Sequence, residues 1–359
     1  MADLLERARR LGHERFAAIA EQGEPGRLNR PLVKALGDEG LLELVFTGSA
    51  VELCELREGL AHGCTEAETA LALQGLGGHP ILRNAALREE WIPRLAAGEA
   101  VAAFALSEPE SGSDVASLAL RAEPDGDGYR LTGEKTWISN APDADLYSVF
   151  ARTSDNGAKG ITAFAVPREA DGLTGEHLEL VAPHPVGRLE FDGVRVEADQ
   201  VLGEVDGGFA VAMETLDLFR PSVGAFGVGM AQAALDAALA HTAARQAFGR
   251  PLSDFQAVSH RLAEMATRVQ AARLLVRDAA AQYDAGVRPV RKASAMAKLY
   301  ATEVAQKAVD VAIQVHGARA LEKGHLLEHL YREVRAPRIY EGASEVQREI
   351  IARELYKEL

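Results

Sequence analysis

The apolar positions of this chain change period twice. Through residues 1–103 they recur at helical intervals. Leu32, Leu36, Leu41 and Leu44 form one series and Leu53, Leu56 and Leu60 another, with further apolar faces at 70–76 and 92–97. Gly23-Glu-Pro-Gly26 and Gly77-Gly-His-Pro80 punctuate these helices. From 104 to about 209 the period falls to two. Tyr129-Arg-Leu131, Tyr147-Ser-Val149, Phe164-Ala-Val166 and Leu189-Glu-Phe191 alternate. Asp125-Gly126 and Asp171-Gly172 supply turns, and Asp192-Gly193 punctuates the run ending at Val194-Arg-Val196. The helical period then returns. Val258, Leu262, Met265, Val269, Ala272, Val276, Ala279 and Tyr283 are spaced by alternating fours and threes, the mark of a long helix burying one stripe. Val304, Ala308, Val311 and Val315 continue the pattern in a second helix. These periods predict a mainly α protein with a β domain: an N-terminal helical domain (1–103), a middle antiparallel β domain (104–209) and a C-terminal helical bundle (210–359).

A length of 359 residues is long for one core and agrees with that division. With 47% hydrophobic and 26% charged residues, the composition is that of an ordinary globular protein. The formal net charge of -14 speaks against a nucleic-acid partner, because phosphate backbones are held by clustered Lys and Arg. It leaves room for a small polyanion on a local basic patch. Cys54 and Cys64 are expected to be reduced core thiols of a cytoplasmic protein. Asp3 and Glu6 make residues 1–10 unlike a transit peptide, so that stretch reads as the first helix. The uncharged run 221–235 is broken by glycines, is too short to span a bilayer and suits a buried helix; no membrane association is expected. Gly75-Leu-Gly-Gly78 follows no strand and receives no dinucleotide role.

The chemistry concentrates in five segments. The first, Phe104-Ala-Leu-Ser-Glu-Pro-Glu-Ser-Gly-Ser-Asp114, is dense in hydroxyl donors around the conformationally free Gly112. Such a loop can wrap a flat polar ligand, or it can be a plain turn. Its order of residues resembles the flavin-binding loop of the acyl-CoA dehydrogenases, Thr/Ser-Glu-Pro-x-x-Gly-Ser-Asp. That family's following Trp-Ile-Thr/Ser strand is matched by Trp137-Ile138-Ser139. The resemblance implies a barrel-like β domain, a C-terminal four-helix bundle and bound FAD. It places Phe104, Leu106, Ser107, Gly112 and Ser113 against the flavin, with Ser113 also toward an acyl-CoA. Trp137 would stack on one flavin face, flanked by Ile138, and Ser139 would hydrogen-bond the ring near its redox nitrogen.

The other segments extend the resemblance to roughly the whole chain after Phe104. Leu216-Asp217-Leu-Phe-Arg220-Pro221 matches a segment whose Asp217 and Arg220 would lie beside the substrate. One subset of the family carries its catalytic Glu here, but the corresponding position is Phe219. Arg245-Gln-Ala-Phe248-Gly249-Arg-Pro-Leu252, with Phe255 and Gln256, offers an Arg for a pyrophosphate and aromatic rings for an adenine. In the family these residues reach the flavin of a neighbouring subunit. Gln314-Val-His-Gly317-Ala318 resembles the family's Gln-x-x-Gly-Gly contact, with Ala318 replacing the second glycine and Ala320 a later one. Ile339-Tyr340-Glu341-Gly342-Ala343-Ser344-Glu345 resembles the catalytic segment. There Glu341 matches the base that removes the α-proton of an acyl thioester, Tyr340 and Gly342 would flank the substrate, and Ala343 and Glu345 would touch the cofactor. Ala343 stands where the family commonly has Thr. Such a base must be desolvated, close, and raised in pKa.

The function so implied is α,β-dehydrogenation of an acyl-CoA to the trans-2-enoyl-CoA, with hydride passing to FAD and an electron-transferring flavoprotein as acceptor. Shared cofactor contacts imply a homodimer or homotetramer. Alternatives within the fold are an oxidase and a dehydrogenase of carrier-protein thioesters. Outside that chemistry stand a non-catalytic nucleic-acid-binding relative and a zinc peptidase, since His325-Leu-Leu-Glu328-His329 spells H-x-x-E-H. Phe219 and Tyr340 suggest a short, branched or cyclic acyl group.

Overall fold

The computed structural model describes residues 2–357; Met1, Glu358 and Leu359 lie outside the described residues. Helices come first: α1 (Ala2–Leu11), α2 (Ala17–Ala20), α3 (Arg30–Asp38), α4 (Leu41–Thr47), α5 (Ala50–Gly63), α6 (Thr65–Gly78) and α7 (Ala85–Ala96). Strands follow: β1 (Ala102–Ala105), β2 (Arg121–Asp125), β3 (Gly128–Ser139), β4 (Leu146–Arg152), β5 (Ile161–Pro167), β6 (Leu173–His177) and β7 (Val186–Val196). The long α8 (Gly208–Ala244) leads to a small hairpin of β8 (Gln246–Ala247) and β9 (Arg250–Pro251). Then come α9 (Gln256–Asp284), α10 (Arg291–His316), α11 (Leu326–Glu333) and α12 (Ser344–Lys357). Helices, sheet and helices thus follow one another as the hydrophobic periods predict.

The chain divides into two compact units. One comprises residues 16–48 and 69–216, the other residues 2–15, 49–68 and 217–357. Compactness therefore regroups the sequence, because α1 and α5 belong with the C-terminal helices while α3, α4 and α7 belong with the sheet.

In the sheet unit, seven strands run in the order β1-β4-β2-β3-β7-β6, with β5 pairing β4. Most pairs are antiparallel, as the alternating runs predict. The sheet is mixed, however, because β1 pairs β4 in parallel, Ala102 opposite Leu146 through Ala105 opposite Val149. The long connection between them, which carries the β2–β3 hairpin, is what a parallel pair requires. The Asp125-Gly126 turn forms as expected, with Gly126 at φ +65°. Asp192-Gly193 does not end a strand; it lies inside β7 as a bulge, where Leu131 faces Val194 but Gly133 faces Phe191. Every residue of Leu146–Ala151 is buried, so β4 is covered on both faces. One cover is α6. A Cβ on Gly77 would meet the Ala102 and Ala103 backbone at 2.6 Å, and Ser148 Oγ donates 2.8 Å to the Gly77 carbonyl. Gly77 thus serves a close helix-on-strand contact.

In the helical unit, the stripe read from α9 is the core. Leu262, Met265, Val269, Ala272, Val276 and Ala279 are all buried, against Ala297, Ala301, Ala305, Ala308 and Ala312 of α10. Small residues let the helices approach closely: a Cβ on Gly224 would meet Val276 Cγ2 at 2.7 Å. Among the described residues, α8 alone is long and apolar enough to cross a membrane by length and composition. Within it, 72% of the most apolar window is buried in the protein, as the 221–235 stretch suggests. Ser49 caps α5 through a capping box with Glu52, and the next two backbone amides donate to Asp284. Cys54 and Cys64 are buried and free.

Candidate active site

The segment 339–343 joins a short turn (Ala336–Arg338) to α12 within the helical unit. Glu341 and Gly342 are both left-handed, at φ +50° and +93°. For a residue with a side chain that conformation costs about 1–2 kcal/mol, so the surroundings must enforce it. Three side chains do so by donating to three successive carbonyls. Lys298 Nζ reaches the Tyr340 oxygen at 3.0 Å and the Gly342 oxygen at 2.6 Å. Gln347 Nε2 reaches the Glu341 oxygen at 3.3 Å and the Gly342 oxygen at 2.8 Å. Arg220 Nε donates to the Glu341 oxygen at 3.4 Å. Beneath the segment, Ser344 Oγ donates 2.8 Å to Glu303, which also pairs with Arg338 at 3.0 Å.

The carboxyl of Glu341 is the candidate reactive group of the segment. Its Oε2 is buried and has no hydrogen-bond partner. Burial pushes its pKa above the usual carboxylate value, while the charges of Arg57, Lys298 and Arg220 pull it back. Those cations come from α5, α10 and α8. Arg57 is only 2% exposed; it pairs with Glu68 and donates 2.7 Å to Ser222 Oγ. Arg220 is buried and bonded to Asp217 at 3.1 Å; burial lowers its pKa against the pull of Asp217 and Glu341. Burial likewise lowers Lys298 to about 8 against Glu341. A desolvated carboxyl with an idle oxygen, its pKa raised by burial against the pull of nearby positive charge, suits proton abstraction from carbon.

Arg57 and Lys298 lie outside all five sequence segments. Arg57 lies at i+4 from Leu53 and i−3 from Leu60, and Lys298 shares a stripe with Ser294, Ala301 and Ala305. A charge on an otherwise apolar stripe was the available signal. Tyr340 and Ala343 are half-buried, and Glu345 is exposed and paired with Arg348. Phe219 is fully buried.

The sheet unit places the flavin-loop candidates together. The Thr136 amide donates 3.0 Å to the Ser107 carbonyl, fastening the loop to β3. One extra residue then enters β3: Lys135 faces Leu189 but Ile138 faces Gly187. This bulge turns Trp137 to φ +55° and leaves it 54% exposed, while Ile138 stays in the core. Below it, Lys135 forms a buried ion pair with Glu108 and donates to the Leu106 carbonyl. Gly112 and Ser113 are exposed, and a Cβ on Gly112 would meet nothing. Leu106 is buried, and Phe104 packs on Phe150 with ring centroids 4.8 Å apart. Those two side chains serve the core. Among the described residues the Ser107 and Ser139 hydroxyls make no hydrogen bond, and the Trp137 indole is exposed. These residues fit a flat, polar-edged ring such as a flavin.

Of the remaining candidates, Arg245, Phe248 and Gln256 lie exposed on the β8–β9 arm and the start of α9. Phe248 is 96% exposed at φ +52°, and Phe255 lies under the Arg250 guanidinium at 4.1 Å. Gln314, Gly317 and Ala318 are exposed at the end of α10. The zinc pattern is overturned. His325 precedes α11 as its N-cap and accepts from the Leu327 amide, Glu328 pairs with Arg332, and His329 bonds Thr65 Oγ1 at 2.6 Å. The two imidazoles are spent on different partners, and no metal-holding group of His, Cys, Asp or Glu exists among the described residues.

Comparison with known proteins agrees with this geometry. Residues 103–194 match the acyl-CoA dehydrogenase middle domain and residues 206–356 the acyl-CoA dehydrogenase C-terminal domain. Cyclohexane-1-carbonyl-CoA dehydrogenase of Geobacter metallireducens is 37% identical, over 98% of this chain and 96% of its own. Butyryl-CoA dehydrogenase from Megasphaera elsdenii superposes with a TM-score of 0.93 at 30% identity, covering 99% of this chain and 97% of that one. The FAD complex of PigA superposes at 0.92 with 26% identity, covering 100% and 98%. The chain belongs to the acyl-CoA dehydrogenase family of oxidoreductases.

Proposed function

We propose that this chain dehydrogenates an acyl-CoA thioester to its trans-2-enoyl-CoA using FAD, with Glu341 as the base. The observation that carries the reading is the idle, buried Oε2 of Glu341 among three cations. Such an oxygen takes a proton without surrendering a hydrogen bond, and the nearby charge keeps the carboxylate available. The Glu341 amide donates to nothing within the chain among the described residues, so it suits the thioester carbonyl as the α-proton leaves. Bound FAD would accept the hydride from the β-carbon. Ser107, Ser139 and Trp137 would hold its ring, and Arg245, Phe248, Phe255, Gln256, Gln314 and Gly317 would meet a neighbouring copy's cofactor in a homodimer or homotetramer. Ser113, Asp217, Tyr340 and Gly342 would border the acyl-CoA. Similarity to enzymes named for cyclohexane-1-carbonyl-CoA and butyryl-CoA favours a short, branched or cyclic acyl group. An electron-transferring flavoprotein would reoxidise the enzyme. Turnover of acyl-CoAs with an artificial electron acceptor, followed by identification of the product, tests the reading. It requires a trans-2-enoyl-CoA from the wild type and essentially none from Glu341→Gln.

A further inference from the structure

We propose that Lys298 is a positioning residue for proton abstraction: its ammonium clamps the backbone on both sides of Glu341 and so aims the carboxylate. The inference rests on the reading of Glu341 as base. The geometry is one-sided and specific. A single Nζ bonds the carbonyls of residues 340 and 342, bracketing the base and spanning the left-handed φ angles of Glu341 and Gly342. Lys298 is 0% exposed, on a stripe of α10 where Ser294, Ala301 and Ala305 are also buried. An apolar side chain there would avoid burying a charge, so the ammonium is retained against its desolvation cost. Its bonds to neutral carbonyls are charge-assisted, and the one to Gly342 is short at 2.6 Å. Gln347 backs the same grip from α12, its Nε2 donating to the Glu341 and Gly342 carbonyls. Lys298 thus acts twice. It fixes where the carboxylate sits, and its charge favours the ionised base.

Lys298→Met removes both effects, while Lys298→Gln keeps a donor and removes the charge. With the FAD-loaded variants, kcat is expected to fall roughly 100-fold in Lys298→Met, the order set by a misplacement of about 1 Å, with KM changing about two-fold at most. The acidic limb of kcat/KM should move to higher pH in both variants, and Lys298→Gln should recover part of the kcat. A crystal structure of either variant should show residue 341 leaving the left-handed region. Unchanged kcat and pH profile in Lys298→Met or, if that variant fails to fold, in Lys298→Gln would overturn the proposal. So would a loss confined to folded yield and melting temperature. Should Glu341→Gln retain full activity, the base assignment fails instead. The clamp is then judged on the crystal structure alone, overturned if residue 341 keeps its φ and supported if it does not.

Discussion

Lys135 Nζ lies 2.7 Å from Glu108 Oε1, with the two side chains 0% and 6% exposed. The same carboxylate accepts from the Ala119 and Leu120 amides, so one buried pair ties β3, the bulge beneath Trp137 and both ends of the 106–120 loop. Lys135→Met leaves that carboxylate buried without its cation. We expect a loss of about 3–5 kcal/mol in urea unfolding, the usual consequence of breaking a buried pair from one side. Lys135→Met with Glu108→Gln should lose less than the sum of the single changes.

Glu341→Gln should separate activity from stability. Removing a general base costs roughly 10²- to 10⁴-fold in kcat. Stability should move the other way at neutral pH. Burial raises the folded pKa of Glu341 above the usual 4.5, so the folded state binds more protons and loses stability as pH rises from 4.5 through that value. Glutamine has no such loss. The variant should melt above the wild type at pH 8 and with it near pH 4, which differential scanning calorimetry reads directly.

Trp137→Ala should leave the apoprotein almost unchanged, because the indole is 54% exposed and both residues meet the same backbone demand at φ +55°. Flavin affinity should fall, by about 0.5–1.5 kcal/mol if stacking alone is lost. Equilibrium dialysis against FAD beside a urea curve distinguishes the two.

Gly342→Ala combines a left-handed φ of +93° with a Cβ 2.4 Å from the buried Gln347 amide. A loss of at least about 1–2 kcal/mol is expected from the backbone alone, with kcat falling further as the catalytic segment shifts. Thermal melting and steady-state kinetics on one preparation check both.

The fold was legible where one period runs long. The α9 stripe from Leu262 to Ala279 is a core in the sequence and in the molecule, because burying one face of a helix fixes residue spacing. The parallel β1–β4 pair was not legible, since alternation records which face is buried and not which strand lies alongside. Asp192-Gly193 was legible only as punctuation within a run, and not as a bulge, for a related reason: Gly at positive φ serves turns and bulges alike. The segment 339–343 could be picked out by resemblance, whereas its supports could not. Arg57 and Lys298 come from distant helices, and only their places on apolar stripes marked them. His325-x-x-Glu-His329 failed because spacing shows what one helix could present, while His325 lies outside the helix as its cap.

On the proposed reading, Glu341 removes a substrate proton while hydride passes to a flavin. Anaerobic titration of the FAD-loaded protein with a panel of short, branched, cyclic and long-chain acyl-CoAs tests it most directly, with the oxidised-flavin absorbance as readout. Bleaching by a short, branched or cyclic acyl-CoA is expected, abolished in Glu341→Gln while the flavin stays bound. A bound flavin that no acyl-CoA bleaches, or one bleached equally in Glu341→Gln, would contradict it.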